Sequence, residues 1–202
     1  MKNFLGNESF APPEAYKFLD VVKNEFAKSF EVEDKFLSAW LNHHGESQGK
    51  WLRARLALAA GGLLGLSSQT SINWAVVCEL IHSASLLHDD VCDQDSLRRG
   101  QSSVWKAYGI SAAICTGDYL IAESFRKITE IEEGWHQTIL LKLLSCSVKE
   151  IIFGQSKDVS FDGVDMSWDE YIKMVINKTS PFIALPMMGM FKCKECSIDE
   201  CN

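Results

Sequence analysis

Apolar positions along the chain recur every three or four residues almost throughout. After Pro12-Pro13, the segment EAYKFLDVVKNEFAKSF places Tyr16, Leu19, Val22 (or Lys23), Phe26 and Phe30 near one face. This predicts an amphipathic helix docked on a core, with the prolines at its start. A short helix is predicted over EVEDKFLSAWL, ended by a turn at His43-His44-Gly45. In GESQGKWLRARLALAAGGLLGL a polar glycine loop then leads into a helix whose basic residues stand in its first turns. Cations at a helix N-terminus oppose the helix dipole, so Lys50 and Arg53 are misplaced for stability and hint at function. Residues 72–93 read as a long helix, and ISAAICTGDYLIAESFRKITEI and residues 134–158 as two more. Beyond a loop with Gly163, Ser167 and Glu170 form a capping box opening SWDEYIKMVINKTS. Pro181 and Pro186 are expected to break or kink that helix. No segment alternates with period two, no repeat recurs, and no linker of biased composition divides the chain. The prediction is all-α, one helical domain over residues 1–202.

Composition narrows the function classes. With 202 residues, 47% of them hydrophobic and 23% charged, the chain can bury one sizeable core. A formal net charge of -7 argues against nucleic acid as partner, because such binders concentrate basic residues against phosphates. The longest apolar run, residues 56–66, is broken by glycines and falls short of the ~20 residues that cross a bilayer. No transmembrane segment is expected. The start MKNFLGNESFAPPEAY lacks the charged and apolar blocks of a secretory signal, which points to the cytoplasm. Cys78, Cys92, Cys115 and Cys146 lie within helical patterns, which suits reduced thiols.

The candidate chemistry lies in residues 79–100, ELIHSASLLHDDVCDQDSLRRG. Asp89 and Asp93 stand four residues apart, so on a helix both carboxylates project from one face and can grip one hard cation. Asp90 points about 100° away from Asp89. Leu80, Ile81, Ala84, Leu86 and Leu87 would anchor this helix in the core while its acidic end faces a cavity. Arg98 and Arg99 suit phosphate oxygens. The plainer reading is a solvated helix end of mixed charge, and His82 on the apolar ramp reads equally as a core histidine. A calcium loop fails on spacing, because Leu97 stands where a third ligand belongs and no glycine marks the turn. Cys193, Cys196 and Cys201 make at most half a zinc site.

Several stretches, in order, resemble the trans-isoprenyl diphosphate synthases, the polyprenyl synthetase family. Gly49, Lys50 and Arg53 resemble its glycine-lysine-x-x-arginine element, with Ala54 where proline is usual. Glu79, His82, Leu86 and His88 lead into Asp89-Asp90-Val91-Cys92-Asp93, which is similar to the first aspartate-rich motif, and Arg98-Arg99-Gly100 follows at the family's distance. Gly117-Asp118, Gly154-Gln155 with Asp158, and Lys178-Thr179 fall where the family has similar elements. Each dipeptide is weak evidence, and the ordered set is strong.

The resemblance implies an isoprenoid-synthase-type helical bundle around a central cavity. It implies condensation of isopentenyl diphosphate with an allylic diphosphate, and Mg2+ as cofactor. Asp89 and Asp93 would be direct metal ligands, with Asp90 ordering a water or a neighbouring cation and Asp158 supporting metal waters. Arg98 and Lys178 would hold the allylic diphosphate. Lys50, Arg53, His82 and Arg99 would hold isopentenyl diphosphate, Lys50 and Arg53 converging from one helical face. Thr179 and Gln155 would present oxygens toward the cationic carbon. Along the ramp, Ala84 and Ser85 are small, and Ile81 and Cys78 lie further down. The growing chain in the family descends there, so a product of geranylgeranyl length or beyond is expected.

The family's second aspartate-rich motif has no counterpart in these residues; Glu195, Asp199 and Glu200 do not form it. The domain therefore reads as C-terminally incomplete. A homodimer or heteromer is expected. The rival readings are a non-catalytic or regulatory subunit of a heteromeric synthase and a terpene cyclase. Lys50, Arg53 and Arg99 argue against the cyclase, which needs no isopentenyl diphosphate site.

Overall fold

The computed structural model describes residues 17–46, 49–160 and 166–199 of the 202-residue chain. Pro12-Pro13, Tyr16, Gly163 and Cys201 lie outside the described residues, as does the side chain of Cys196. The elements run α1 (Leu19–Lys28), α2 (Lys35–Glu46), α3 (Leu52–Leu64), α4 (Ser68–Cys92), β1 (Leu97–Arg98), β2 (Gln101–Ser102), α5 (Val104–Tyr108), α6 (Ile110–Ile128), α7 (Gly134–Ser160) and α8 (Trp168–Asp199). This is the all-α bundle that the periodicity predicts. Leu19, Val22, Phe26 and Phe30 are buried, so the apolar face of α1 docks as expected.

Helix α4 is the centre of the bundle, with α6 and α3 packed along it and α1 and α8 also touching it. Every residue from 70 to 81 is buried, so no side of this stretch faces water, which is how a helix apolar all round must sit. Its start is fixed by Ser67, whose hydroxyl accepts from the Thr70 N–H at 3.1 Å. Trp74, fully buried, donates its indole N–H to the Pro186 carbonyl at 3.1 Å and fills the space left by Gly189. That contact fastens α8 to α4. The Ser167–Glu170 capping box is formed, each side chain accepting from the other residue's backbone N–H at 3.3 and 3.1 Å.

Four sequence expectations need correction. No turn ends α2 at His43-His44-Gly45; the helix continues through it to Glu46. Gly45 is there for packing, because a Cβ would stand 2.6 Å from the Phe30 ring. Of the break or kink expected at Pro181 and Pro186, the break is excluded, since α8 runs through both. Packing of α8 against α7, α3 and α4 outweighs the lost backbone bonds. A strand pair exists despite the missing alternation, since β1 and β2 are two residues each and too short to show a period. They pair antiparallel, Leu97 with Ser102 and Arg98 with Gln101. Arg99 and Gly100 turn the hairpin with φ of 52° and 84°, the positive pair that a two-residue hairpin turn of type I′ demands. Finally, Lys50 precedes α3, and Trp51 between them has φ 55°, so Lys50 and Arg53 do not share a helical face.

Candidate active site

The polar end of α4 faces two different neighbourhoods. On one side stands an acidic wall. Asp89 is partly buried and Asp93, the last residue of the helix turn, is exposed and donates its N–H to the Asp89 carbonyl at 2.8 Å. Burial pushes the Asp89 carboxyl above the usual range; Lys178 pulls it down and Asp93 and Asp158 add to the rise. Lys178 lies on α8 and bonds Asp158 of α7 at 2.5 Å. Burial lowers the Lys178 ammonium, but the Asp158 bond and the charges of Asp89, Asp158 and Asp93 outweigh it and hold it above its ordinary value. Gly154 makes this junction possible by leaving room for the Lys178 backbone. The described structure thus sets Asp89, Asp93, Asp158 and Lys178 within electrostatic reach of one another from three helices.

Asp90 is turned the other way, as the helical spacing predicts. It is buried and accepts from Arg98, from Nε at 2.7 Å and from a terminal guanidinium nitrogen as well. Its partner in the structure is thus the Arg98 guanidinium. This bond anchors the hairpin to α4 and keeps Arg98 within electrostatic reach of Asp89.

On the remaining side is a cationic pocket, lined by His44, Gly49, Trp51, Glu79, His82 and Arg99. Gly49 cradles the Arg99 guanidinium: a Cβ there would lie 2.8 Å from a guanidinium nitrogen. Arg53, on α3, acts on His82 electrostatically and holds its guanidinium over the Phe182 ring, 5.3 Å from the centroid; its Nε is buried with no hydrogen-bond partner. His82 meets the same Phe182 edge-on at 5.7 Å and leaves Nδ1 buried and unpaired. Burial first, then Arg53 and Arg99, push the His82 imidazole down to about 3, so it is neutral at pH 7. Glu79 accepts from the Ala54 N–H at 2.9 Å, in the first turn of α3, where Trp51 provides no side-chain cap. Its carboxylate supplies from α4 the negative charge that offsets cations at that helix start.

Gln155 lines an open groove with His88, Val91, Cys92, Ile114, Asp118, Ile152 and Val159. Both polar atoms of its amide are buried without partner. Gly117 leaves room for the His88 ring, whose Nε2 stands 3.4 Å from both the Ile114 carbonyl and the Asp118 carboxylate. Lys50 and Thr179 are exposed, on the loop before α3 and on α8, apart from these contacts.

Residues 34–201 match the family model described as polyprenyl synthetase. The chain belongs to the polyprenyl synthetase family. It is 34% identical over 164 residues to the geranylgeranyl pyrophosphate synthase of Geoglobus acetivorans, spanning 80% of this chain and 50% of that protein. It is 32% identical over 137 residues to a (2E,6E)-farnesyl diphosphate synthase of Mycobacterium bovis, spanning 67% and 38% respectively. The solved geranylgeranyl pyrophosphate synthetase of the archaeon Geoglobus acetivorans superposes with a TM-score of 0.81 at 28% identity, over 87% of this chain and 58% of that one. The chain thus spans half or less of the curated relatives it matches. These matches also bear out the isoprenoid-synthase type of bundle.

Within this family member, sequence reading missed Phe182 and His44. Phe182 follows Lys178 by four residues on α8, so the face that meets the acidic wall also backs Arg53 and His82 one turn later. An apolar residue after a lysine-threonine pair carries no chemical signal of its own. His44 is hidden in a segment that reads as a turn.

Proposed function

We propose that this chain is a trans-prenyltransferase, condensing isopentenyl diphosphate with an allylic diphosphate to give a trans-polyprenyl diphosphate of geranylgeranyl length or beyond. One observation carries the reading: around the end of a single buried helix, an acidic wall with one lysine adjoins a pocket lined by Arg99 and two neutral histidines, with Arg53 acting on it from α3. Two diphosphates need such a division, one held where carboxylates can share a divalent cation with it and one held by cations alone.

Asp89 and Asp93 would hold magnesium, with Asp158 acting through water. Among the described residues no three histidine, cysteine or carboxylate groups stand close enough to form a complete metal cage. The all-oxygen donor set nevertheless fits magnesium, which keeps several waters and takes phosphate oxygens as further ligands. When bound, magnesium supplies positive charge that stabilises a departing diphosphate. Lys178, steadied by Asp158, and Arg98, steadied by Asp90, point fixed cations at the allylic diphosphate. Arg53, backed by Phe182, Arg99 in the Gly49 cradle, and His82 as a neutral donor hold isopentenyl diphosphate; Lys50, exposed on the loop beside Gly49, would join them by turning inward. The allylic tail lies in the groove of His88, Ile114, Ile152 and Val159, where the unpaired Gln155 amide turns its oxygen toward the cationic carbon; Thr179, exposed on α8 outside the groove, would join it only by turning inward. The side chains that line this site come from helices and a short hairpin held by packed contacts, which limits their drift.

The test is incubation of labelled isopentenyl diphosphate with dimethylallyl, geranyl or farnesyl diphosphate and magnesium, with products resolved by chromatography. Magnesium-dependent elongation supports the reading; absence of any elongated product with every primer removes it for this chain alone. A second reading, a binding subunit of a heteromeric synthase, draws on the large exposed side chains Ile152 and Phe153 on α7 and Ile172 and Ile176 on α8. Such a face suits a partner chain, in a homodimer or a heteromer. Elongation that appears only when a second chain is added favours that reading. A terpene cyclase remains disfavoured by Arg53 and by Arg99 of the cationic pocket.

A further inference from the structure

The last turn of α2 carries two adjacent histidines with different surroundings. His43 is fixed: its Nε2 lies 2.7 Å from the Ser102 carbonyl of β2 and its ring meets Tyr108 edge-on at 5.2 Å. That bond sets α2 against the hairpin that carries Arg98 and Arg99. His44, one residue on and therefore rotated by about 100° around the helix, is turned into the site. It lines the cationic pocket with Gly49, Glu79, His82 and Arg99, and also the adjoining small cavity with Asp90, Arg98, Gln101 and Ser102. Its side chain lines both cavities.

Arg98 and Arg99 act on His44 from the hairpin, His82 from α4 and His43 from its own helix. Among the described residues two carboxylates line these cavities: Glu79 accepts the Ala54 N–H and Asp90 accepts from Arg98. A diphosphate carries more than one charge and several oxygens, so it can meet donors from the hairpin, α4 and α2 at once.

We infer that His44 is a direct hydrogen-bonding contact of the diphosphate in the cationic pocket, placed where that pocket adjoins the Asp90–Arg98 pair. The inference rests on the proposed function in so far as the anion is isopentenyl diphosphate, but the contact itself is to a diphosphate group. Without an anion, burial, then Arg99, Arg98 and His43, push the His44 imidazole down to about 4. A neutral imidazole offers one donor and one acceptor. A bound diphosphate reverses the local field, so His44 gains a proton as the anion enters and becomes a donor at both nitrogens.

The experiment is calorimetric titration of the full chain with inorganic diphosphate, without primer or turnover, for the wild type, His44→Ala and His44→Gln. Imidazole NMR of the wild type is recorded alongside, with and without saturating diphosphate. Loss of a hydrogen bond to a charged group predicts affinity weaker by about tenfold or more in His44→Ala. His44→Gln, which keeps an amide donor, recovers part of it. In the wild type the His44 signal shifts, and its titration midpoint rises when diphosphate is present. Unchanged affinity in a folded His44→Ala, a midpoint unmoved by diphosphate, or no diphosphate binding by the wild type overturns the inference. Should His44→Ala not fold, His44→Gln and the wild-type NMR decide the question. Diphosphate binding that depends on His44 in a chain giving no elongation keeps this inference and removes the proposed function. Elongation with diphosphate affinity indifferent to His44 does the reverse.

Discussion

Gly154 on α7 rests against the backbone of Lys178 on α8, so closely that a Cβ at residue 154 would stand 2.5 Å from the Lys178 nitrogen. One turn further along α7, Asp158 meets the Lys178 ammonium. The ion pair at the acidic wall therefore depends on a glycine four residues away that lets the two helices close. Two opposed terms act on Gly154→Ala. Better helix propensity gains about 0.5–1 kcal/mol. Forcing backbone apart costs about 1–3 kcal/mol, because backbone cannot swing aside as a side-chain tip can. The clash wins, so Gly154→Ala lowers the midpoint of thermal unfolding. Gly62 on α3 is the control: a Cβ there meets nothing within 4 Å. Gly62→Ala keeps only the propensity gain and raises the midpoint. Equal shifts of the same sign in both variants would show that the contact with Lys178 does not govern the result.

Glu79 acts as a cap supplied from another helix. Glu79→Ala leaves the Ala54 N–H without its acceptor and the α3 start without a nearby anion. The expected loss is about 1–2 kcal/mol, read as a lower urea midpoint at unchanged slope. Glu79→Gln keeps an acceptor and loses less.

The stability of the apo protein should fall on acidification through His82. Its imidazole is pushed down from the ordinary 6.5 to about 3 by burial and then by Arg53 and Arg99. The unfolded chain takes up a proton near pH 6.5 and the folded chain does not until about pH 3, so stability is present above pH 6.5 and is lost progressively between those values. Raised values at Asp89, Asp90 and Glu79 act in the opposite direction, since their folded forms hold protons more tightly. The His82 part is isolated by difference. His82→Gln should show a shallower decline of unfolding midpoint from pH 6.5 downward than the wild type; parallel declines would assign the loss elsewhere.

Product length is predicted to respond to the positions below Asp89. Ser85 is one turn down, half-buried, its hydroxyl donating to the His82 carbonyl at 2.8 Å, while Ala84 is sealed in the core. Ser85→Phe should shorten the chromatographed product with little loss of stability. Ala84→Phe should shorten it too, at a cost of about 1–3 kcal/mol for overfilling a closed space. Products of unchanged length in both would remove this part of α4 from length control.

The elements were legible because their cause is local. The amphipathic period of α1, the apolar ramp of α4 and the Ser167–Glu170 box each involve residues within a few turns of one another. That Asp90 diverges from the face of Asp89 and Asp93 followed from helical geometry alone, and in the structure it is buried against Arg98, away from Lys178 and Asp158. Lys50 escaped the same reasoning, because the left-handed backbone at Trp51 separates it from α3 and no residue type announces that conformation there.

What the sequence by itself determined is the set of helices and the motifs that stand at their ends, since period, caps and spacing act over one or two turns. Which groups meet was decided only in three dimensions. Asp158 joins Lys178 because Gly154 lets α7 and α8 approach, Arg53 is held by Phe182 from the far end of the chain, and His44 enters the site because His43 ties α2 to the hairpin. These contacts join residues far apart in sequence. Their energies arise from burial and close packing between elements, which no local pattern records.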